Sequence, residues 1–224
     1  RNGSWPSFFV EVGLSPSGGG EVNGSGIYNQ GATATLSVSS NINDGYSFGY
    51  WSGDQAGSSN PLTFGVNSHL NITANFHLNS YLLEVNSSIG GTATGSTNLP
   101  HGSLAPIIAS ANPGYSFTGW VGDGISDPSS PSTTVSMTKA RTVAASFSLN
   151  SYPLTLPVDD GGTVSGDGNF THGTNAPILA VPNHGYSFTR WTGDGITDPT
   201  SASTTVQMNQ PQIITANFQL NTYA

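Results

Sequence analysis

The stretch Gly45-Tyr46-Ser47-Phe48-Gly49-Tyr50-Trp51-Ser52-Gly53-Asp54 decides how the rest of the chain is read. Its opening Gly-Tyr-Ser-Phe returns as Gly114-Tyr115-Ser116-Phe117 and again as Gly185-Tyr186-Ser187-Phe188. Trp120 and Trp191 follow at the spacing of Trp51, and each Trp precedes x-Gly-Asp: Val121-Gly122-Asp123 and Thr192-Gly193-Asp194. Further on, Phe76, Phe147 and Phe218 recur at an interval of 71 residues, each inside an Ala-x-Phe-x-Leu-Asn segment. Self-similarity at a fixed period means one structural unit copied in tandem. The landmarks place repeat 1 at residues 8–79, repeat 2 at 80–150 and repeat 3 at 151–221. Residues 1–7 form an N-terminal segment, and 222–224 begin a further strand or end in a stub.

Each copy reads as strands. Ile72, Ala74, Phe76 and Leu78 alternate with polar residues, as do Val143, Ala145, Phe147 and Leu149, and as do Tyr81, Leu83 and Val85. Such period-two alternation buries one face of a sheet and wets the other. No helical stripe exceeds one turn. Gly90-Gly91, Gly161-Gly162, Asn112-Pro113-Gly114, Asp127-Pro128 and Asp198-Pro199 supply turns. The expectation is an all-β array of three similar small domains, with at most a short helical turn in each. A unit of this size has little core to spare, so the recurring aromatics must supply much of it. The predicted core is Tyr46, Phe48, Trp51 and Phe76 in the first copy, Tyr115, Phe117, Trp120 and Phe147 in the second, and Tyr186, Phe188, Trp191 and Phe218 in the third.

Composition narrows the function. Among 224 residues, charged side chains are 7%, with 4 Lys+Arg against 12 Asp+Glu and a formal charge of −8. So few cations cannot neutralise a row of phosphates, which argues against nucleic acid. No apolar run approaches the roughly 20 residues of a membrane helix. The absence of cysteine removes thiol catalysis, disulfides and thiolate metal sites. With few lysines and a Ser/Thr/Asn/Gly-rich surface, the chain is expected outside the cell, secreted or on the cell surface. No basic-then-apolar leader follows Arg1, so a secretion signal is expected to have been removed or to lie outside the sequence.

The pattern Gly-Tyr-x-Phe-x-x-Trp-x-Gly-Asp, then a Ser/Pro loop, then Val-x-Met and Ala-x-Phe, resembles the divergent internalin-type (InlB) B repeat of bacterial surface proteins. The resemblance runs from Phe8 onward in three tandem copies, and the first copy has Val66 near the place of the Met. It implies a compact β-grasp-like or related all-β module acting as a spacer, stalk or adhesive repeat. It brings no catalytic residue and no cofactor.

The remaining candidates are few. Gly45-Tyr46-Ser47-Phe48-Gly49 matches the Gly-x-Ser-x-Gly nucleophile string, but Thr118 and Thr189 stand where Gly49 does and no helix follows. Asp123, Asp127, Asp194 and Asp198 are weak Ca²⁺ candidates, with Asx turns as the plainer reading. His69, His77, His101, His172 and His184 lack metal spacing and read as turn and surface residues. Asn2, Asn23, Asn71, Asn86 and Asn169 open Asn-x-Ser/Thr sequons and are glycosylation candidates. Trp5, Tyr28, Phe64 and Phe170 lie outside the repeated core, leaving a carbohydrate-binding module as one alternative. The leading expectation is a non-enzymatic tandem-repeat structural or adhesive protein. A sharper version is a filament subunit joined head to tail to copies of itself, the segment Trp5 to Val12 adding as a strand to the next subunit's terminal stub near Tyr223. A stalk fragment whose partners are neighbouring repeats of a longer surface protein is the other alternative.

Overall fold

A computed structural model describes residues 5–41 and 44–222. The described elements are strands. In the first repeat these are β1 (Ser7–Ser15), β2 (Gly20–Asn23), β3 (Gly26–Asn29), β4 (Thr33–Ser40), β5 (Tyr46–Gly53), β6 (Leu62–Gly65) and β7 (Leu70–Leu78). The second repeat has β8 (Ser80–Ser87), β9 (Gly91–Thr94), β10 (Thr97–Pro100), β11 (Ser103–Ala111), β12 (Tyr115–Val121), β13 (Ser132–Met137) and β14 (Arg141–Leu149). The third has β15 (Ser151–Thr155), β16 (Gly162–Ser165), β17 (Gly168–Thr171), β18 (Thr174–Pro182), β19 (Tyr186–Thr192) and β20 (Ser203–Met208). Its closing strand is split into β21 (Gln212–Ile213) and β22 (Thr215–Leu220). None of the described elements is a helix long and apolar enough to cross a membrane.

The first repeat sets the pattern. One sheet has the order β3-β1-β7-β5, the other β2-β4-β6. In the four-stranded sheet β1 pairs antiparallel with β3 and parallel with β7, while β5 pairs antiparallel with β7. Two antiparallel arms are thus joined by a central parallel pair, the order of a β-grasp sheet. Where a β-grasp lays a helix across that sheet, this unit lays the three-stranded sheet. Alternation explains the choice: Ala34, Leu36 and Val38 of β4 all point inward, and Val10, Ile72, Ala74 and Phe76 meet them from the other layer. The second repeat has the orders β10-β8-β14-β12 and β13-β11-β9. The third has β17-β15-β21 with β19-β22, and β16-β18-β20.

The chain divides into two compact units. The first holds Arg1–Val85, Thr94–Ile108 and Val121–Val143, and the second holds Asn86–Ala93, Ala109–Trp120 and Ala144–Ala224. Each unit contains one complete repeat, a share of the middle repeat and one of the two junctions between repeats.

The strand positions bear on the head-to-tail expectation. Within its own repeat Ser7–Val10 pairs with β3 and Val10–Ser15 with β7, and Val10 is fully buried. A segment so placed cannot be donated to a neighbour without opening the sheet it holds together. The expected joint by addition of Trp5 to Val12 would first have to release β1 from β3 and β7. Tyr223, the other half of that expected joint, lies outside the described residues.

Candidate functional site

The repeated aromatics form the same constellation in each copy. Trp51, Trp120 and Trp191 are 1%, 5% and 0% exposed. Phe48 packs at 5.3 Å from Trp51 and 6.0 Å from Phe76; Phe117 sits between Trp120 and Phe147, and Phe188 between Trp191 and Phe218, at 5.6–6.0 Å. Tilted and edge-on contacts of this kind are the favoured aromatic geometry. Tyr46 is half-buried against the first core, and Tyr115 and Tyr186 are half-buried as well. The paired glycines have a tertiary purpose that a turn signal does not reveal. A Cβ on Gly19, Gly91 or Gly162 would lie 2.4–2.5 Å from the ring of Phe76, Phe147 or Phe218, so only glycine leaves the ring its place.

The Ser/Pro loops close over the tryptophans. The indole Nε1 of Trp51 donates to Ser59 O at 2.9 Å, and that of Trp191 to Ser201 O at 3.1 Å. In the third repeat Asp198 shapes the loop, its Oδ1 accepting from the amide and the hydroxyl of Thr200 at 2.9 and 2.8 Å. Asp127 does the same with Ser129 at 2.9 and 2.6 Å. The Ser129 and Thr200 hydroxyls, followed by the same residues' amides, hold both carboxyls below the usual carboxylate value. Asn60 replaces them in the first repeat, bonding both the amide and the carbonyl of Val38. Asp123 lies 3.4 Å from Lys139 Nζ and 4.0 Å from Arg141. Among the described residues no three His, Cys, Asp or Glu side chains come together as metal ligands.

Ser47 and its copies are likewise engaged in structure. Ser47 Oγ donates to Asn79 Oδ1 at 2.8 Å, Ser116 to Asn150 at 2.6 Å and Ser187 to Asn221 at 2.6 Å. These asparagines are the junction residues. Asn79 N donates to Gly45 O and its carbonyl accepts from His101 N, both at 2.8 Å; Asn150 bonds Gly114 O and His172 N at the same distances. Asn79 and Asn150 are thus each fixed through amide, carbonyl and side chain, and Asn221 through its amide to Gly185 O at 2.7 Å and its side chain.

The histidine completes the joint. Its imidazole stands on the glycine: a Cβ on Gly45 would come within 2.1 Å of the His101 ring, and one on Gly114 within 2.1 Å of the His172 ring. Each ring also packs edge-on against the first aromatic of its own repeat, Tyr81 at 5.9 Å and Tyr152 at 6.0 Å. Nδ1 of both imidazoles is enclosed. His101 and His172 do occupy turns, but their side chains are packed between repeats. The corresponding place in the first repeat is held by exposed Gln30, whose amide donates to Pro6 O at 2.7 Å. The sequence signal that could have found the joint was the recurrence of His-Gly at 101–102 and 172–173 opposite Gly45 and Gly114.

The other candidates do not assemble. His69 Nδ1 accepts from Phe9 N at 3.1 Å, His77 lies beside Tyr50, and His184 is exposed. Tyr28 and Phe64 pack against the first core and Phe170 against the third, while Trp5 is 73% exposed. Asn23, Asn71, Asn86 and Asn169 are exposed, and Asn2 lies outside the described residues.

The divergent InlB B-repeat domain matches at residues 10–80, 81–151 and 152–222. The chain belongs to this family. Divergent InlB B-repeats are repeat domains of bacterial surface proteins, and each family boundary here falls within a residue or two of the junction asparagines Asn79, Asn150 and Asn221. No curated protein matches the chain. Among solved structures it is similar to the Bacillus anthracis TIE protein, at 9% identity and a TM-score of 0.29, over 84% of this chain and 44% of that one. The B-repeat chain thus spans less than half the length of that protein.

Proposed function

We propose that this B-repeat chain is a non-catalytic extracellular spacer, whose work is to hold each repeat in a set relation to the next. The observation that carries the reading is the joint: Gly45–Asn79–His101 and Gly114–Asn150–His172 use the same bonds at the same 2.8 Å distances. A flexible tether needs no such device, since Gly/Ser linkers behave as random coil. The aromatic constellation serves the interior, Asp127 and Asp198 shape the loops over it, and Ser47 and Ser116 serve the joint.

Small-angle X-ray scattering on the intact chain tests this. The wild type is expected to fit a narrow set of conformations, and the His101→Ala/His172→Ala double variant a broad one with the same folded content by circular dichroism. Equal breadth in both would sink the spacer reading.

A further inference from the structure

Among the described residues, four sequons open at Asn23, Asn71, Asn86 and Asn169, and three of them share a further feature. They read Glu21-Val22-Asn23-Gly24-Ser25, Glu84-Val85-Asn86-Ser87-Ser88 and Asp167-Gly168-Asn169-Phe170-Thr171, with an acid two positions before the asparagine. Acids fill only 12 of 224 positions, roughly one in nineteen, so three among four sequons far exceeds chance. Duplication does not account for it either. By strand register the three asparagines occupy different places in the unit: the end of β2, the end of β8 and the middle of β17. Each repeat has one, at its own position.

Beyond the Asn-x-Ser/Thr acceptor, one class of bacterial N-oligosaccharyltransferase also requires an acid two residues before the asparagine. We propose that Asn23, Asn86 and Asn169 are acceptors of N-linked oligosaccharide, one in each repeat. The proposal rests on the reading that the chain is exported. In an extended segment, positions two apart project to the same side. Accordingly all nine defining residues are exposed: Glu21, Asn23 and Ser25, Glu84, Asn86 and Ser88, and Asp167, Asn169 and Thr171. Among the described residues no hydrogen bond holds the carboxamides of Asn23, Asn86 or Asn169, whereas those of Asn60, Asn75, Asn150 and Asn217 are bonded. A sugar on any of the three meets solvent and leaves the core and both joints untouched. Asn71 is the internal control. It is as exposed as the other three but has His69 at the acidic place.

The donor is a polyprenyl-pyrophosphate-linked oligosaccharide. The asparagine Nδ2 attacks the anomeric carbon, the C1–O bond to pyrophosphate breaks, and the lipid pyrophosphate leaves with the bonding pair. One Nδ2 proton passes to a base of the transferase. Strand pairing holds the backbone of Asn23 opposite Ser37 and that of Asn169 opposite Pro153, so transfer takes place on the unfolded chain during export.

The test exports the full chain, behind a supplied signal peptide, in a host carrying a bacterial N-oligosaccharyltransferase and a lipid-linked oligosaccharide of known mass. Intact-mass and peptide spectra are expected to show that oligosaccharide on Asn23, Asn86 and Asn169 with Asn71 bare. Glu21→Gln, Glu84→Gln and Asp167→Asn should each reduce occupancy of their own site to background. These positions are exposed, and tryptophan fluorescence verifies that the variants fold. A bare chain, modification of Asn71 as often as of the other three, or occupancy that survives loss of the acid would overturn the proposal. Because export is supplied, a bare chain speaks against the acceptor sites alone, and the scattering test of the joints stands apart from it.

Discussion

His172 stands directly on the α-carbon of Gly114, so close that a methyl group there would lie 2.1 Å from the imidazole Cδ2. Gly114 has φ +81°, a conformation that costs an L side chain about 1–2 kcal/mol even in open space. Gly114→Ala therefore combines backbone strain with a displaced histidine. It is expected to destabilise the second unit by about 2 kcal/mol or more in urea denaturation. Gly173→Ala, with φ +81° but no atom within 4 Å among the described residues, should show only the backbone part.

Asn150 ties three strand ends together. Asn150→Ala removes the acceptor of the Ser116 hydroxyl but keeps both backbone bonds, so the loss should be near 1 kcal/mol. Hydrogen exchange should find the His172 amide less protected while the amides of β18 and β20 stay as they were. Unchanged protection at His172 would show that the side chain adds nothing to the joint.

Trp191 separates packing from hydrogen bonding. Trp191→Phe keeps most of the ring but deprives Ser201 O of its donor, at a cost of about 1–3 kcal/mol. Trp191→Ala should cost about 3–5 kcal/mol and unfold the third repeat, seen as early loss of its amide protection.

Asp198 makes a pH-dependent prediction. Thr200 holds its carboxyl below the ordinary value of 3.8. A lowered folded value means the loop's stabilisation is complete above that ordinary value and is lost as pH falls through the lower one. In an NMR titration the Thr200 amide should hold its shift from neutral pH down to about 4 and move only in more acidic solution. Movement centred near neutral pH would assign the wrong partner.

Lys139 and Asp123 form an exposed pair. Lys139→Ala should change stability by no more than about 0.5 kcal/mol, and added salt should not alter that result. A larger loss by thermal denaturation would mean that the pair organises the loop.

Much of the architecture was legible because it repeats. Trp51, Trp120 and Trp191 announce three cores, and alternation such as Ile72, Ala74 and Phe76 marks the buried face of β7. Gly90-Gly91 was legible as a turn, but its role in making room for Phe147 was not, because the ring arrives from a strand more than fifty positions away. His101 and His172 read as surface turn residues. Their packing depends on Gly45 and Gly114, which lie in the preceding repeat. The segment Trp5 to Val12 was legible as strand, but its pairing with β3 and then β7 inside its own repeat was not.

Sequence alone determined that this is a tandem array of all-β units, since periodicity and recurrence are local patterns that any window of the chain displays. The tertiary structure decided the partners: the parallel union of β1 with β7, the sheet in place of a helix, and the glycine that seats each histidine. Those pairings join residues some 55 to 60 positions apart. Side-chain volume and backbone reach select them only once the strands have assembled.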